Sequence, residues 1–321
     1  MVESGEKKSF EAMTQAGAGL AEIKAAAIAA KAGDVAARKI LAAAFAHAAF
    51  AAPGRIAPTY DAAAEGWFGR PVNGASILPA PDTALPIPAG VWSDFWGLIS
   101  EAGNSIGAGE ITARTAAIGG HLSEDYRALA ATVCAAYPGV TEAAAQGFPD
   151  RFTMDALGRC PEGSLGGTFY RLIVDNKFDL EVLDRDQLQL ASLRPPLDYL
   201  NARMLQSHDL WHIVAGYETT KLHEVAISAF QMAQFGHSYS AMFLAVVSGS
   251  SAFRPEAVFD VLMELVLSAW VHGRRTPPML GIVWEDVWHL PTSEVRARYG
   301  IEPYVSPFPA DLAEQLEAAA A

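Results

Sequence analysis

The chain has 321 residues, 51% of them hydrophobic and 18% charged, which excludes a disordered chain and provides for a large apolar interior. Its formal net charge of −13 argues against nucleic acid as a partner and against electrostatic attachment to anionic lipid. Two cysteines, Cys134 and Cys160, fall in no C-x-x-C pattern and read as reduced thiols of a cytosol-like compartment. The start, with Glu3, Glu6, Lys7 and Lys8, matches neither a secretory signal nor an Arg-rich transit peptide. No stretch of about 18 residues is continuously apolar, so no spanning helix is expected, and any membrane contact would be peripheral and apolar in origin.

Alanine-rich residues 9–50 predict helix with one break at Ala32-Gly33-Asp34, where Gly33 ends one helix and Asp34 caps the next. His47 falls in an alanine face and reads as a packed or surface side chain. Residues 69–91, dense in proline and glycine, predict a long extended connection. Trp92 and Trp96 then open a helix; core packing is the reading, with a membrane-dipping aromatic edge as the alternative. Ser123 caps another helix, Glu124 and Asp125 favour its positive start, and Pro138-Gly139 stops it. Pro161–Thr168 is glycine-rich but lacks G-K-[ST], so it reads as a turn feeding a helix over Phe169–Asn176. Pro195-Pro196 resets the chain before the proline-free residues 197–254. Further on, Glu256, Asp260 and Glu264 form a ladder read as a solvated stripe. Arg254, Arg274 and Arg275 read as surface cations, with an anion site as the alternative.

The chemistry concentrates in His208-Asp209-Leu210-Trp211-His212, eleven further residues, then Glu224. On a helix His208 and His212 project from one face about one turn apart, and Asp209 borders that face. Gly216 supplies a helix stop and Thr219 or Thr220 an N-cap, a corner that folds back antiparallel and brings Glu224 level with the histidines. Two imidazoles and two carboxylates are a mixed nitrogen and oxygen set for a divalent metal. The alternative is an acid–histidine hydrogen-bonded network without metal. Gln231 stays on the Glu224 face and Gln234 sits to its side; both read as a polar seam, with ligand or carboxylate support as the alternative. His223 and His237 are not assigned as ligands.

H-D-x-x-H followed by eleven residues and Glu resembles the signature of the coenzyme Q biosynthesis protein 4 family. The neighbourhood agrees, with Arg203 before the first histidine, Gly216 after the second, and Gln234-Phe235-Gly236 beyond. Trp270, Gly273-Arg274, Trp284-Glu285 and Arg298-Tyr299-Gly300-Ile301 are similar to its C-terminal pattern, and Pro161-Glu162-Gly163-Ser164-Leu165-Gly166 to its lead-in. The likeness covers about residues 152–303, as in a bacterial-type homologue with an extra N-terminal region.

The expected fold is all-α. Residues 1–120 would form an Ala-rich helical extension with a Pro-rich connection, and residues 121–321 a multi-helix domain whose central antiparallel pair carries the metal site. The resemblance implies metal-dependent oxidative decarboxylation at C1 of a 4-hydroxy-3-methoxy-5-polyprenylbenzoate-type ring in ubiquinone biosynthesis. It assigns His208, Asp209, His212 and Glu224 as metal ligands and as the catalytic set. Zinc, iron and manganese all stay open, since ligand type alone does not choose among them. The resemblance also implies a homodimer working with other ubiquinone biosynthesis proteins, in the cytoplasm at the inner face of the cell membrane. Two other readings are a non-catalytic prenyl-lipid-binding scaffold and a metal-dependent hydrolase. The hydrolase would recruit His121 or Asp260.

Overall fold

The computed structural model describes residues 2–101, 108–181 and 183–315, and among these the chain forms α-helices, short 3-10 turns and connections, with no strands. The alanine-rich start gives α1 (Ser4–Ala16), α2 (Leu20–Lys31) and α3 (Val35–Phe50), followed by α4 (Ile56–Phe68). The break expected at Gly33 is present, and the Asp34 carboxylate accepts the backbone N–H groups of Ala36 and Ala37. A second break, at Gly17–Gly19, was not expected from the alanine pattern. There Gly17 takes φ +70°, and a Cβ on it would lie 2.8 Å from the His47 ring. His47 is buried, with Nδ1 2.8 Å from the Thr14 carbonyl, so it is a packed residue.

Residues 69–88 form the extended connection, and α5 (Ala89–Glu101) and α6 (Ala108–Gly120) follow. The tryptophans of α5 pack inward. Phe10 stacks on Phe95 at 5.6 Å and meets the edges of Trp96 and Phe253, while Trp96 Nε1 donates to Glu11 at 2.7 Å. Next come α7 (Glu124–Ala135), α8 (Val140–Ala144) and α9 (Met154–Gly158). Ser123 caps α7 as its sequence suggests, accepting from the Tyr126 N–H at 3.2 Å. The helix α10 (Leu165–Asn176) begins before the expected Phe169, because Ser164 Oγ caps it by accepting from Gly167 N–H. Gly166 and Gly167 are therefore in its first turn, where small size admits Cys160 and Trp288 close to the backbone.

The remaining helices are α11 (Leu197–Ala215), α12 (Lys221–Phe235), α13 (Ser238–Ala252), α14 (Glu256–Arg275) and α15 (Thr292–Tyr299). One hydrophobic cluster runs from Phe10 to Tyr304, so the 1–120 segment and the rest share a core. At its centre α13 is packed against α3, α5, α6, α12 and α14, which explains an apolar helix with no polar side. Helix α12 crosses closely on α14 at Gly273, where a Cβ would lie 2.6 Å from the Phe230 carbonyl oxygen.

Of the acidic ladder of α14, Glu264 is not simply solvated, and the Glu256 side chain lies outside the described residues. Glu264 accepts from Trp67 Nε1 at 2.6 Å and pairs with Lys31, tying α14 to the N-terminal helices. Arg274 is likewise engaged, with Asp61 at 3.2 Å and the Ala75 carbonyl at 2.9 Å. Trp270 Nε1 donates to the same Asp61 at 2.8 Å. Among the described residues no helix is long and apolar enough to cross a membrane.

Both cysteines are free, and burial pushes the Cys134 thiol up to about 12. Iodoacetamide at pH 8 is therefore expected to leave Cys134 unlabelled in the native chain and to label it only after unfolding. Rapid native labelling of Cys134, read by mass spectrometry of its peptide, would contradict this packing.

Candidate metal centre

The site is built by the corner between α11 and α12. Leu210, Trp211, Val214 and Ala215 bury one side of α11, and Gly216 ends it at φ +81°, in the left-handed region that glycine favours. A Cβ on Gly216 would also meet Pro303 at 2.8 Å. Thr220 precedes α12 in the cap position, but its hydroxyl donates to the Ala310 carbonyl at 2.7 Å instead of capping the helix. The α12 start is thus braced by the C-terminal segment, and Glu314 also accepts the Lys221 N–H at 3.0 Å. Helix α12 returns along α11, with Trp211 edge-on to Phe230 and Phe235 at 5.7 and 5.8 Å.

This fold-back brings three of the four expected ligands together. His208 Nε2 lies 3.2 Å from Glu224 Oε2, His212 Nε2 3.3 Å from Glu224 Oε1, and the two Nε2 atoms 3.3 Å apart. One donor atom from each of His208, His212 and Glu224 falls within 4.8 Å of the others. Asp209 stands outside that close set, although its carboxyl lies in the field of both imidazoles and of Glu224. Burial raises the Asp209 pKa, and the two histidines only partly counter it. Burial also works against the Glu224 carboxylate, yet hydrogen bonds from both imidazoles and their charge hold it well below the usual range. For His208 burial disfavours the cation, and the Glu224 hydrogen bond and charge outweigh it, so its pKa is raised.

Outside this triad each neighbour has a definite partner. His212 Nδ1 donates to the Glu218 carbonyl at 3.0 Å, which aims Nε2 at Glu224. Gln231 lies 2.8 Å from His208 Nδ1, so it does more than fill a seam. Its seven-residue spacing from Glu224, nearly two helical turns, was visible in the sequence, but the histidine it meets was not. Gln234 is the expected seam residue, donating to the Gly273 and Thr276 carbonyls and accepting from the Met279 N–H. His223 Nδ1 accepts the Glu218 N–H at 2.8 Å and is no ligand. His121 pairs with Asp94 at 2.9 Å, and neither it nor Asp260 belongs to the converging set. A pocket of about 270 Å³ opens at the corner, lined by Leu172, His212, Ile213, Tyr217, Glu218, Thr219 and Thr220.

His237 is buried beside this centre, with Nδ1 2.9 Å from Ser240 Oγ. Burial, and then the charge of His208, push its pKa down to about 3. The unfolded chain, with an ordinary value of 6.5, therefore takes up that proton first. The contribution to stability is whole above about pH 6.5 and drains as the pH falls toward about 3. Urea midpoints at pH 7 and pH 5 are expected to fall more for the native sequence than for His237→Gln. Equal falls would rule out this assignment.

The residues flanking the triad brace it. Arg203, one turn before the histidines, is buried and donates to the Ile282 carbonyl, to Gln206 and to Glu285. That joins α11 to the Trp284-Glu285 segment. A family model described as coenzyme Q (ubiquinone) biosynthesis protein Coq4 matches residues 148–305, which contain this whole arrangement. Residues 148–305 form a domain of the Coq4 family.

The ubiquinone biosynthesis protein COQ4 homolog, mitochondrial, of Rattus norvegicus is 30% identical over 154 residues, 47% of this chain and 55% of that protein. The Aedes aegypti homolog of the same description is 27% identical over 155 residues, 46% of this chain and 53% of that one. The chain thus spans about half the length of the curated relatives it matches. A crystallised protein from Nostoc punctiforme superposes with a TM-score of 0.48 at 21% identity, covering 66% of this chain and 97% of that one. Within the matched residues three glycines have physical work. Gly216, Gly236 and Gly300 take left-handed φ at the ends of α11, α12 and α15.

Proposed function

We propose that this chain acts in ubiquinone biosynthesis, removing the C1 carboxyl of a 4-hydroxy-3-methoxy-5-polyprenylbenzoate-type ring with a hydroxyl taking its place. The observation that carries this reading is the convergence of His208, His212 and Glu224 inside a Coq4-family domain. The donor set fits a divalent cation: two imidazole nitrogens and a carboxylate already ionised, with no thiolate. His208, His212 and Glu224 would hold the ion, with Asp209 proposed as the fourth ligand. A zinc, iron or manganese ion there would supply Lewis acidity toward the ring carboxylate.

The protein's own groups do the rest. The Glu218 carbonyl fixes the His212 ring, which is itself buried. Leu172, Ile213 and Tyr217 give the adjoining pocket apolar walls suited to the greasy part of such a substrate. An oxygen para to the carboxyl would feed electrons toward C1, dioxygen would be the two-electron oxidant that exchanging carboxyl for hydroxyl requires, and the carboxyl would leave as carbon dioxide. The reading extends to work at the inner face of the cell membrane, as a homodimer, beside other ubiquinone biosynthesis proteins.

The test is to load the purified chain with zinc, iron(II) or manganese and supply the prenylated hydroxymethoxybenzoate, with and without dioxygen. Release of the ring carboxyl as carbon dioxide, with the matching mass change in the lipid, is the expected result. Lipid that binds tightly and is never turned over under any of these conditions would instead favour a scaffold.

A further inference from the structure

The two imidazoles of the triad are held in different ways. His212 Nδ1 faces a backbone carbonyl, that of Glu218, at 3.0 Å. A carbonyl only accepts, so a ring proton is kept on Nδ1, and Nε2, which faces Glu224 at 3.3 Å, is the atom that ligates once it carries no proton. His208 Nδ1 faces the side-chain amide of Gln231 at 2.8 Å. An amide can present either its NH2 or its oxygen, by a half-turn about its last bond.

The two presentations correspond to two tautomers of His208. With the NH2 toward Nδ1, the ring proton belongs on Nε2, which points at Glu224 Oε2 at 3.2 Å and gives a closed network of hydrogen bonds. With the oxygen toward Nδ1, the proton belongs on Nδ1, and the Nε2 lone pair faces Glu224 and His212, where a cation would sit. Gln231 is 3% exposed, so water does not readily substitute for its amide.

Resting on the metal reading given above, we propose that Gln231 is the positioning residue of His208 and that its amide turns over when the cation enters. At a pH where the ring is neutral, the Nε2 proton leaves to solvent as the cation enters and a solvent proton is taken up at Nδ1, so no net proton is bound or released. His212 is a fixed ligand and His208 an adjustable one. The corner can therefore fold with its polar groups satisfied and still accept a cation without moving its backbone.

The experiment compares the full chain with Gln231→Met, which fills the space without an amide, Gln231→Glu, which accepts but cannot donate, and His212→Ala. Zinc(II) alone is the probe, followed by isothermal titration, with histidine 15N NMR on the same samples. In the unsubstituted chain the His208 proton is expected at Nε2 before zinc and at Nδ1 after it. Gln231→Glu should hold it at Nδ1 from the start and bind zinc at least as tightly. Gln231→Met should bind about 10–100-fold more weakly, the usual effect of removing a partner of a metal-ligating histidine.

Near-unchanged affinity in Gln231→Met, with binding abolished in His212→Ala, would overturn this inference and leave the metal site standing. A His208 proton already at Nδ1 before zinc would do the same. Absence of zinc binding in the unsubstituted chain would overturn the metal reading, and the inference with it.

Discussion

Glu224→Gln is expected to abolish the proposed stoichiometric metal binding and, with it, the proposed decarboxylation. Glu224 is the carboxylate of the close triad and touches both imidazoles, at 3.2 and 3.3 Å. Glutamine keeps the length and can still bond one ring, so packing along α12 should survive while the negative charge is lost. Residues that merely support a ligand are worth about 10–100-fold in affinity, so loss of a ligating charge should exceed about 100-fold. The measurement is zinc titration of both chains, with metal content after dialysis as a second readout. Retained metal and activity would remove the catalytic reading altogether. The same substitution has a pH signature. Because the folded Glu224 pKa is depressed, its contribution to stability is present above its ordinary value of 4.5 and is lost as the pH falls below it. The glutamine variant should therefore show a shallower acid limb.

Trp211→Ala is expected to be the costliest single truncation near the site. Trp211 is fully buried between α11 and α12, wedged edge-on against Phe230 and Phe235. Truncating a buried tryptophan typically costs about 3–5 kcal/mol, part from lost burial and part from the cavity. The indole N–H has no partner among the described residues, so the native chain already tolerates an unmet donor there. Trp211→Phe should consequently recover most of the loss, since it keeps the wedge and removes the unpaired group. Because Trp211 packs α11, which carries both histidines, on α12, which carries Glu224, zinc affinity should fall in the alanine variant and return in phenylalanine. Denaturant midpoints and zinc titrations of the pair decide this. An alanine variant within about 1 kcal/mol of the native stability would mean that the helix pair closes over the gap.

Much of this site could be read from the letters because its geometry is local. The spacing of His208 and His212, the glycine stop at Gly216 and the return to Glu224 all lie within one helical corner, so helix periodicity fixes which groups meet. Asp209 was the exception: its position beside the shared face did not bring its carboxyl into the close set. The part Gln231 plays needed a contact across two helices, which no spacing along one helix reveals. The same holds for Glu264, which looks solvated on its own helix and is bonded to Trp67 from nearly 200 positions earlier. The Gly17 break was hidden because the flanking residues favour helix equally on both sides, and only the ring of His47 requires the gap. At Gly166 the composition suggested a turn, while close approach of Cys160 and the Ser164 cap make it the start of a helix.

The wrapping of α13 by α3, α5 and α6 has a practical corollary for anyone trimming this protein to its recognisable half. Cutting the chain near residue 120 would strip the cover from a helix that carries no side fit for water, along with the partners of Phe253 and Glu264. A fragment beginning there should go into inclusion bodies, and the missing helices, supplied as a separate polypeptide during refolding, should rescue it.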